Sequence, residues 1–91
     1  MAPPPPRVVW TREARFRFEG LPSAIRAEIL QKITVIETHP RMYQVEPGGR
    51  WAGLRRFRAH NWKVYYAFWE AENKVYIEVL WPARAADPSE E

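Results

Sequence analysis

The sequence predicts an α+β domain in which two N-terminal helices pack on one face of a small, mainly antiparallel sheet. Three observations predict this fold class. Isoleucines recur at helical spacing in the first half of the chain, and three apolar segments with short spacers fill the second half. A short β-branched segment precedes the helices. The order strand, helix, helix and three strands makes a two-layer sandwich with both helices on one side of the sheet.

The length of the chain, 91 residues, allows one hydrophobic core and one domain. Hydrophobic residues make up 46% of it, which is far from the composition of a disordered chain. We divide the chain into a disordered proline-rich tail over residues 1–6, one domain over residues 7–84 and an acidic tail over residues 85–91. A core of this size leaves no room for a deep cavity, so the functional surface is expected to be open.

The first strand and helix are predicted from residues 8–21. The Val-Val-Trp segment at 8–10 suits a short strand, and Thr11 is placed to cap the helix that follows. Ala14 and Phe18 then recur at near-helical spacing. Leu21 and Pro22 follow a glycine, and this break indicates that the first helix is short.

A longer second helix is predicted from Ser23, which we interpret as its cap, to the region of His39. Isoleucines at spacings of four, four and three residues line one face of this helix: Ile25, Ile29, Ile33 and Ile36. The helix should end near His39 because Pro40 disfavours helical geometry in the residue before it.

An irregular connection is predicted over residues 41–53, where glycine and proline are frequent and Met42, Tyr43 and Trp51 serve as anchors. Three strands follow, over residues 54–58, 63–69 and 74–81. Their short spacers imply an antiparallel meander. Leu54 and Phe57 lie three apart, which indicates either a bulge in the first of these strands or an uncertain boundary of that strand.

Alternation along the last two strands assigns side chains to the two faces of the sheet. In the middle strand one face holds Val64, Tyr66 and Phe68. In the last strand one face holds Val75, Ile77, Val79 and Trp81, and the opposite face holds Tyr76, Glu78 and Leu80. One face of the sheet should receive the helices.

Several classes of protein are excluded by composition. The chain has no cysteine, so a disulfide framework and a thiolate metal site are both excluded. The two histidines, His39 and His60, lie far apart without metal-ligand spacing, and we expect neither a metal nor another cofactor. No apolar run approaches the roughly 18 residues of a membrane span, and the N-terminus lacks the apolar core of a signal peptide. A cytoplasmic protein without a membrane partner is expected.

The basic charge is concentrated in one part of the sequence. The formal net charge is only +3. Residues 50–63 nevertheless contain no carboxylate and carry five cations: Arg50, Arg55, Arg56, Arg58 and Lys63. The end of the chain is acidic, with Asp87, Glu90 and Glu91. This distribution favours contact with phosphate or with an acidic protein, and the alternative is a solvated strand face.

Several segments together resemble toxins of the RelE/ParE superfamily, the toxic halves of bacterial type II toxin–antitoxin pairs. The resemblance covers roughly residues 7–84 and rests on the order and spacing of its parts. These are Trp10-Thr11 and Ala14, the Leu21-Pro22 break, the isoleucine-rich helix, Gly-Leu-Arg-Arg-Phe-Arg at 53–58, Trp-Lys-Val-Tyr-Tyr at 62–66, Val-Tyr-Ile-Glu-Val-Leu at 75–80, and Arg84.

The resemblance implies a toxin with one of two activities, because fold alone does not choose between them. RelE-like members are mRNA endoribonucleases (mRNA interferases) that cut messenger RNA on the ribosome without a metal. ParE-like members inhibit DNA gyrase. A third alternative is a non-toxic binding scaffold of the same fold. In each case the implied partner is a cognate antitoxin, and a homodimer is the alternative when the antitoxin is absent.

The resemblance also implies which residues carry the ribonuclease chemistry. Arg56, Arg58, Lys63 and Arg84 match the family's basic positions and are the catalytic candidates. Lys63 stands where the family has arginine, and no tyrosine follows Arg84. Both departures favour the gyrase alternative.

Four further residues are candidates for the site. Arg55, Tyr65 and Tyr76 are candidate RNA-binding residues, because arginine interleaved with aromatic rings suits single-stranded RNA. The alternative for the tyrosines is packing within the sheet. Glu78 is a candidate general base among apolar neighbours, and its alternative is a cross-strand ion pair with Lys63 or Arg58.

Overall fold

The computed structural model describes residues 4–84, and its element order is the predicted one. The elements are β1 Arg7–Trp10, α1 Arg12–Glu19, α2 Ser23–Thr38, β2 Arg55–Ala59, β3 Trp62–Trp69 and β4 Lys74–Pro82, with a single 3-10 turn at Glu70–Glu72. The predicted α+β class is therefore confirmed.

The sheet has four strands in the order β1-β4-β3-β2. The strands of the C-terminal meander are antiparallel to one another, while β1 runs parallel to β4. The two helices make this parallel pairing possible, because they carry the chain from β1 back over one face of the sheet. The prediction of a mainly antiparallel sheet is confirmed.

Thr11 begins α1 as predicted. Its Oγ1 accepts a hydrogen bond from the backbone N–H of Ala14 at 3.2 Å, which satisfies one of the free donors of the first turn. The same hydroxyl donates to the carbonyl oxygen of Glu78 at 3.1 Å. Thr11 therefore joins the start of α1 to the middle of β4.

The apolar face of α2 is also as predicted. Ile29, Ile33 and Ile36 are buried, and Ile25 packs against the same core. The helix ends at Thr38, before Pro40. The prediction of Ser23 as the cap is wrong, because Pro22 occupies the cap position and no side chain caps the helix.

The core lies between the helices and one face of the sheet, and Tyr66 is its largest polar member. Tyr66 is fully buried, and its hydroxyl donates to the carbonyl of Pro40 at 2.9 Å. This hydrogen bond links the segment that follows α2 to β3. Burial raises the pKa of Tyr66 to about 12, despite the opposing field of Arg55.

This raised pKa predicts alkaline destabilisation. The unfolded chain ionises Tyr66 near its ordinary pKa of 10.0, whereas the folded chain holds the proton up to about 12. The stabilisation is therefore complete below pH 10 and is lost as the pH rises from 10 to about 12. Urea unfolding of the wild type and of Tyr66→Phe should show a difference in stability that shrinks over this range. A constant difference would contradict the assignment.

The faces of β4 differ from the prediction because of a bulge. Tyr65 pairs with Val79 and Tyr66 pairs with Ile77, so Glu78 is an extra residue opposite none of β3. Leu80 consequently joins the core with Val75 and Ile77. Val79 and Trp81 lie on the other face, and the predicted grouping of both with Val75 and Ile77 is wrong.

Of the two interpretations of the Leu54–Phe57 spacing, the bulge is absent from the pairing of β2 and the uncertain strand boundary is confirmed. Leu54 lies before β2, and Phe57 pairs with Val64 in a regular antiparallel register. The three-residue spacing of Leu54 and Phe57 arises because Leu54 belongs to the preceding loop. This loop is irregular, as predicted.

Two of the three predicted loop anchors are confirmed. Tyr43 packs its ring 5.5 Å from that of Phe57, and Trp51 packs 4.5 Å from Tyr65. Met42 is 49% exposed, so its prediction as an anchor is wrong.

The end of the predicted N-terminal tail lies against the sheet. Pro6 is buried, and the carbonyl of Pro4 accepts a hydrogen bond from Asn73 Nδ2 at 3.1 Å. Residues 1–3 and the predicted acidic tail at 85–91 lie outside the described residues, and the domain boundaries otherwise stay predictions. Within the described part of the chain, no helix is both long and apolar enough to cross a membrane.

Candidate functional site

The candidate site is on the face of the sheet opposite the helices. The register places Arg58, Lys63 and Trp81 directly opposite one another on β2, β3 and β4. The next row on this face consists of Arg56, Tyr65 and Val79. Strand alternation turns both rows away from the core. We call these two rows the cationic face, and it brings together three of the predicted catalytic residues.

Both arginines of the cationic face, Arg56 and Arg58, are held by local contacts. Arg58 Nε donates to the carbonyl of His60 at 3.0 Å, which keeps the guanidinium beside the β2–β3 turn. Arg56 Nε lies 3.1 Å from Glu46 Oε1. Although residues 50–63 contain no carboxylate, Glu46 therefore neutralises part of their charge, because the connection returns it to the edge of β2.

The middle of the cationic face is covered. Lys63 is only 8% exposed, and Tyr65 is fully buried. Trp51 covers this region, with its ring 4.5 Å from Tyr65 and 5.4 Å from Trp81. A base can stack on Tyr65 only if Trp51 moves, so the structure favours the packing interpretation of Tyr65.

Arg84 lies at the same end of the sheet as Arg58. It is exposed and follows β4 by two residues. The preceding residue, Ala83, donates its N–H to the carbonyl of Asn61 at 2.7 Å, which ties this segment to the β2–β3 turn. Since that turn joins the strands of Arg58 and Lys63, the predicted fourth cation lies at the end of the cationic face.

Arg55 does not belong to the cationic face. It alternates with Arg56 and therefore lies on the helix side of the sheet. Its Nη1 donates to the carbonyls of Tyr43 at 2.6 Å and Arg41 at 3.2 Å. This position does not favour the prediction that Arg55 contacts RNA, because its guanidinium holds the connection between α2 and β2.

We therefore expect Arg55→Ala to affect stability more than RNA affinity. The substitution leaves two carbonyls without their charged donor, and the free energy of unfolding should fall by about 1–3 kcal/mol. Urea unfolding and RNA titration of the same preparation measure the two effects. A large loss of RNA affinity in a variant of unchanged stability would restore the original assignment.

Tyr76 lies at the opposite end of the open face. It pairs with Ala67, and its hydroxyl donates to Glu72 Oε1 at 2.7 Å. Its ring meets the edge of Trp69 at 6.1 Å. The hydrogen bond to Glu72 raises the pKa of Tyr76. This tyrosine is thus separated from the cationic face and belongs to a second cluster with Trp69, Glu72 and Glu78.

Glu78 lies in the bulge and not in a row with the cations. The partners of Lys63 in register are Arg58 and Trp81, so Glu78 does not lie directly across the sheet from Lys63. Glu78 borders two hollows, one of about 110 Å³ between α1 and β4 and one that it shares with Trp69, Glu72 and Tyr76. The other charged residues around the hollow between α1 and β4 are Glu13, Arg17 and Arg50. This position does not favour the general-base role.

Residues that the sequence argument missed complete the hollow. Arg17 Nη1 donates to the carbonyl of Leu80 at 3.4 Å, and its guanidinium lies 5.2 Å from the ring centroid of Trp81. Trp51 and Trp81 form the aromatic wall. No local pattern joins Arg17 to Trp81, because α1 and β4 are distant in sequence. Only the tertiary fold brings them together.

The chemistry available here is that of cations and aromatic rings. Between residues 4 and 84, no group of three His, Asp or Glu side chains is arranged to hold a metal ion. Arginine and lysine at the spacing of adjacent strands can bind phosphate oxygens through charge-assisted hydrogen bonds. The arrangement is therefore suited to an extended anion such as a nucleic-acid backbone.

Comparison with solved structures identifies the fold. The Escherichia coli RelBE toxin–antitoxin complex contains a chain that matches with a TM-score of 0.75 and 12% identity, over 88% of this chain and 99% of that one. RelBE2 of Mycobacterium tuberculosis matches with a TM-score of 0.73 and 20% identity, over 86% and 98%. The Pyrococcus horikoshii RelE–RelB complex matches with a TM-score of 0.71 and 21% identity, over 88% and 97%.

These matches show that the chain has a RelE/ParE-like toxin fold, as the sequence resemblance predicts. No family model and no curated protein sequence matches the chain.

Proposed function

We propose that this chain is the toxin of a type II toxin–antitoxin pair and that it cuts messenger RNA on the ribosome. The observation that carries the proposal is the cationic face, where Arg58 and Lys63 lie directly opposite each other and Arg56 lies one row away. This face is on the side of the sheet that the helices leave open. The RelE-like fold supports the same function.

The proposed reaction needs no metal. A ribose 2′-oxygen loses its proton and attacks the adjacent phosphorus, and the bond to the 5′-oxygen of the next nucleotide breaks. That oxygen takes up a proton, and the products end in a 2′,3′-cyclic phosphate and a 5′-hydroxyl. Cations stabilise the extra negative charge of the pentavalent transition state. We assign this task to Arg56, Arg58, Lys63 and Arg84.

A specific observation favours a second candidate function. Lys63 is 8% exposed and Tyr65 is fully buried, so the middle of the cationic face offers little to a reacting nucleotide while Trp51 covers it. This favours a ParE-like inhibitor of DNA gyrase, in which the same cations bind the target and the chain cuts no bond. Lysine at position 63 also lacks the planar fork with which arginine grips a phosphate.

The proposed partner under either function is a cognate antitoxin. Solved structures of similar fold are complexes with RelB. An acidic, apolar antitoxin segment would complement the cationic face and the exposed apolar side chains. The described chain exposes Phe16 to 79% and Trp69 to 55%, and aromatic side chains are enriched in interfaces. Self-association through this surface is the proposed alternative when the antitoxin is absent.

The proposal is tested by inducing the chain in cells that lack its antitoxin and mapping new 5′ ends on translated messages within minutes of growth arrest. New ends inside codons of ribosome-bound messages are expected. Intact messages with gyrase-linked DNA breaks would replace the ribonuclease proposal by the gyrase candidate. Unimpaired growth at the same protein level would favour the non-toxic scaffold.

A further inference from the structure

We infer that the hollow between α1 and β4 binds a guanine base of single-stranded RNA and that Glu78 selects this base. The inference rests on the proposed binding of RNA by the cationic face. The hollow, of about 110 Å³, is bordered by Glu13, Arg17, Arg50, Glu78 and the rings of Trp51 and Trp81. It is smaller than the pockets that enclose whole ligands, so it can take up only one part of a larger ligand.

The hollow adjoins the cationic face through Trp81. This residue is the register partner of Lys63 and is also part of the wall of the hollow. In a nucleotide the base is attached through the ribose to the phosphate. A phosphate held by Arg58 and Lys63 therefore places a neighbouring base beside Trp81. The geometry couples backbone binding on one side of Trp81 to base binding on the other.

The wall of the hollow provides flat groups on which a base can stack. The ring centroids of Trp51 and Trp81 lie 5.4 Å apart, and the guanidinium of Arg17 lies 5.2 Å from the Trp81 centroid. The hydrogen bond from Arg17 to the carbonyl of Leu80 holds that guanidinium over the strand. Aromatic rings and arginine planes are the usual stacking partners of unpaired bases.

The bulge places a carboxylate at this wall. Because Glu78 is the extra residue of β4, the bulge re-aims its side chain relative to a regular strand. The hydroxyl of Thr11, itself fixed at the start of α1, donates to the carbonyl of Glu78 at 3.1 Å. Glu78 is half-buried, whereas Glu13 of α1 is exposed.

The ionised carboxylate determines which base fits. It only accepts hydrogen bonds, so it binds a base edge that presents N–H donors. Guanine presents two neighbouring donors, N1–H and the exocyclic amino group, and can engage both carboxylate oxygens. Adenine places an acceptor beside its amino group, and uracil places its single N–H between two carbonyls. A bidentate pair with guanine is therefore preferred over single contacts with the other bases.

The test measures affinity for short, labelled uridine oligonucleotides with one central guanosine, adenosine or cytidine, by fluorescence anisotropy. The sugars are riboses with a 2′-O-methyl group, so the strands remain RNA-like and no 2′-oxygen is free to attack. The wild-type chain should bind the guanosine oligonucleotide about tenfold more tightly than the adenosine one. In Glu78→Gln the preference should fall below about twofold, because the amide offers only one acceptor and adds a donor.

Glu19→Gln is the matched control. It removes the same charge from an exposed position at the C-terminal end of α1, outside both hollows that Glu78 borders. It should keep the guanosine preference. Glu78→Asp keeps the charge and both acceptors and should retain part of the preference, which separates base selection from a folding defect.

The outcomes distinguish this inference from the proposed function. Equal affinity of the wild type for all three oligonucleotides, or an unchanged preference in Glu78→Gln, would overturn the role of Glu78. If such binding still depends on Arg58, the proposed RNA contact of the cationic face stands. If none of the oligonucleotides binds, the base site and the RNA contact both fall.

Discussion

Replacement of Arg58 by alanine is expected to lower the rate of messenger RNA cleavage by about 10²-fold or more. This is the usual loss when one preorganised group that stabilises transition-state charge is removed. Arg58 lies directly opposite Lys63 and is oriented by its hydrogen bond to the carbonyl of His60. The rate should be measured under single-turnover conditions on ribosome-bound messages.

The control is Arg15→Ala, which removes the same charge from an exposed position on α1 and should leave cleavage unchanged. The double variant Arg58→Ala/Arg84→Ala should relieve growth arrest under either candidate function, because the same cations are proposed to bind RNA in one and gyrase in the other. Cleavage rather than growth is therefore the informative measurement. A wild-type cleavage rate in folded Arg58→Ala would remove this residue from the proposed mechanism.

Replacement of Ile29 by alanine is expected to lower the free energy of unfolding by about 2–5 kcal/mol. Ile29 is fully buried at the centre of the α2 face, where it packs between the helix and the sheet. The substitution loses apolar burial and leaves a cavity. Small domains are stabilised by only about 5–15 kcal/mol, so the variant should be close to the limit of folding.

Leu30→Ala is the matched control, because it shortens the neighbouring side chain on the same helix. Leu30 is 48% exposed, and its change should alter stability by no more than about 0.5 kcal/mol. Urea unfolding followed by tryptophan fluorescence measures both variants. Equal losses in the two would mean that α2 packs on the sheet by a different face.

The helices were predictable because their signals are local. The isoleucine spacing identifies the buried face of α2. Thr11 precedes α1 and accepts a hydrogen bond from a free backbone N–H of its first turn. The strand order along the chain followed from short spacers between apolar segments. The resemblance to RelE/ParE toxins depended on the same local segments, which explains why the fold was predicted correctly.

Which side chains of β2 and β4 face the core was harder to predict from the sequence. Alternation alone would have separated Arg55 from Arg56, but the loop residue Leu54 obscured where β2 begins. In β4 the bulge at Glu78 reverses the facing of every later residue, so Leu80 enters the core and Trp81 leaves it. A bulge depends on the partner strand and on Thr11 of α1, neither of which is local to β4.

The amino-acid sequence was sufficient for the elements, their order and the basic character of residues 50–63, because periodicity, capping and charge act between near neighbours. The tertiary structure was needed to place Arg58 opposite Lys63, to cover Tyr65 with Trp51, and to assemble the hollow around Glu78. These contacts join segments that are distant along the chain. Strand register and packing determine these contacts, and neither can be recognised from the type of a single residue.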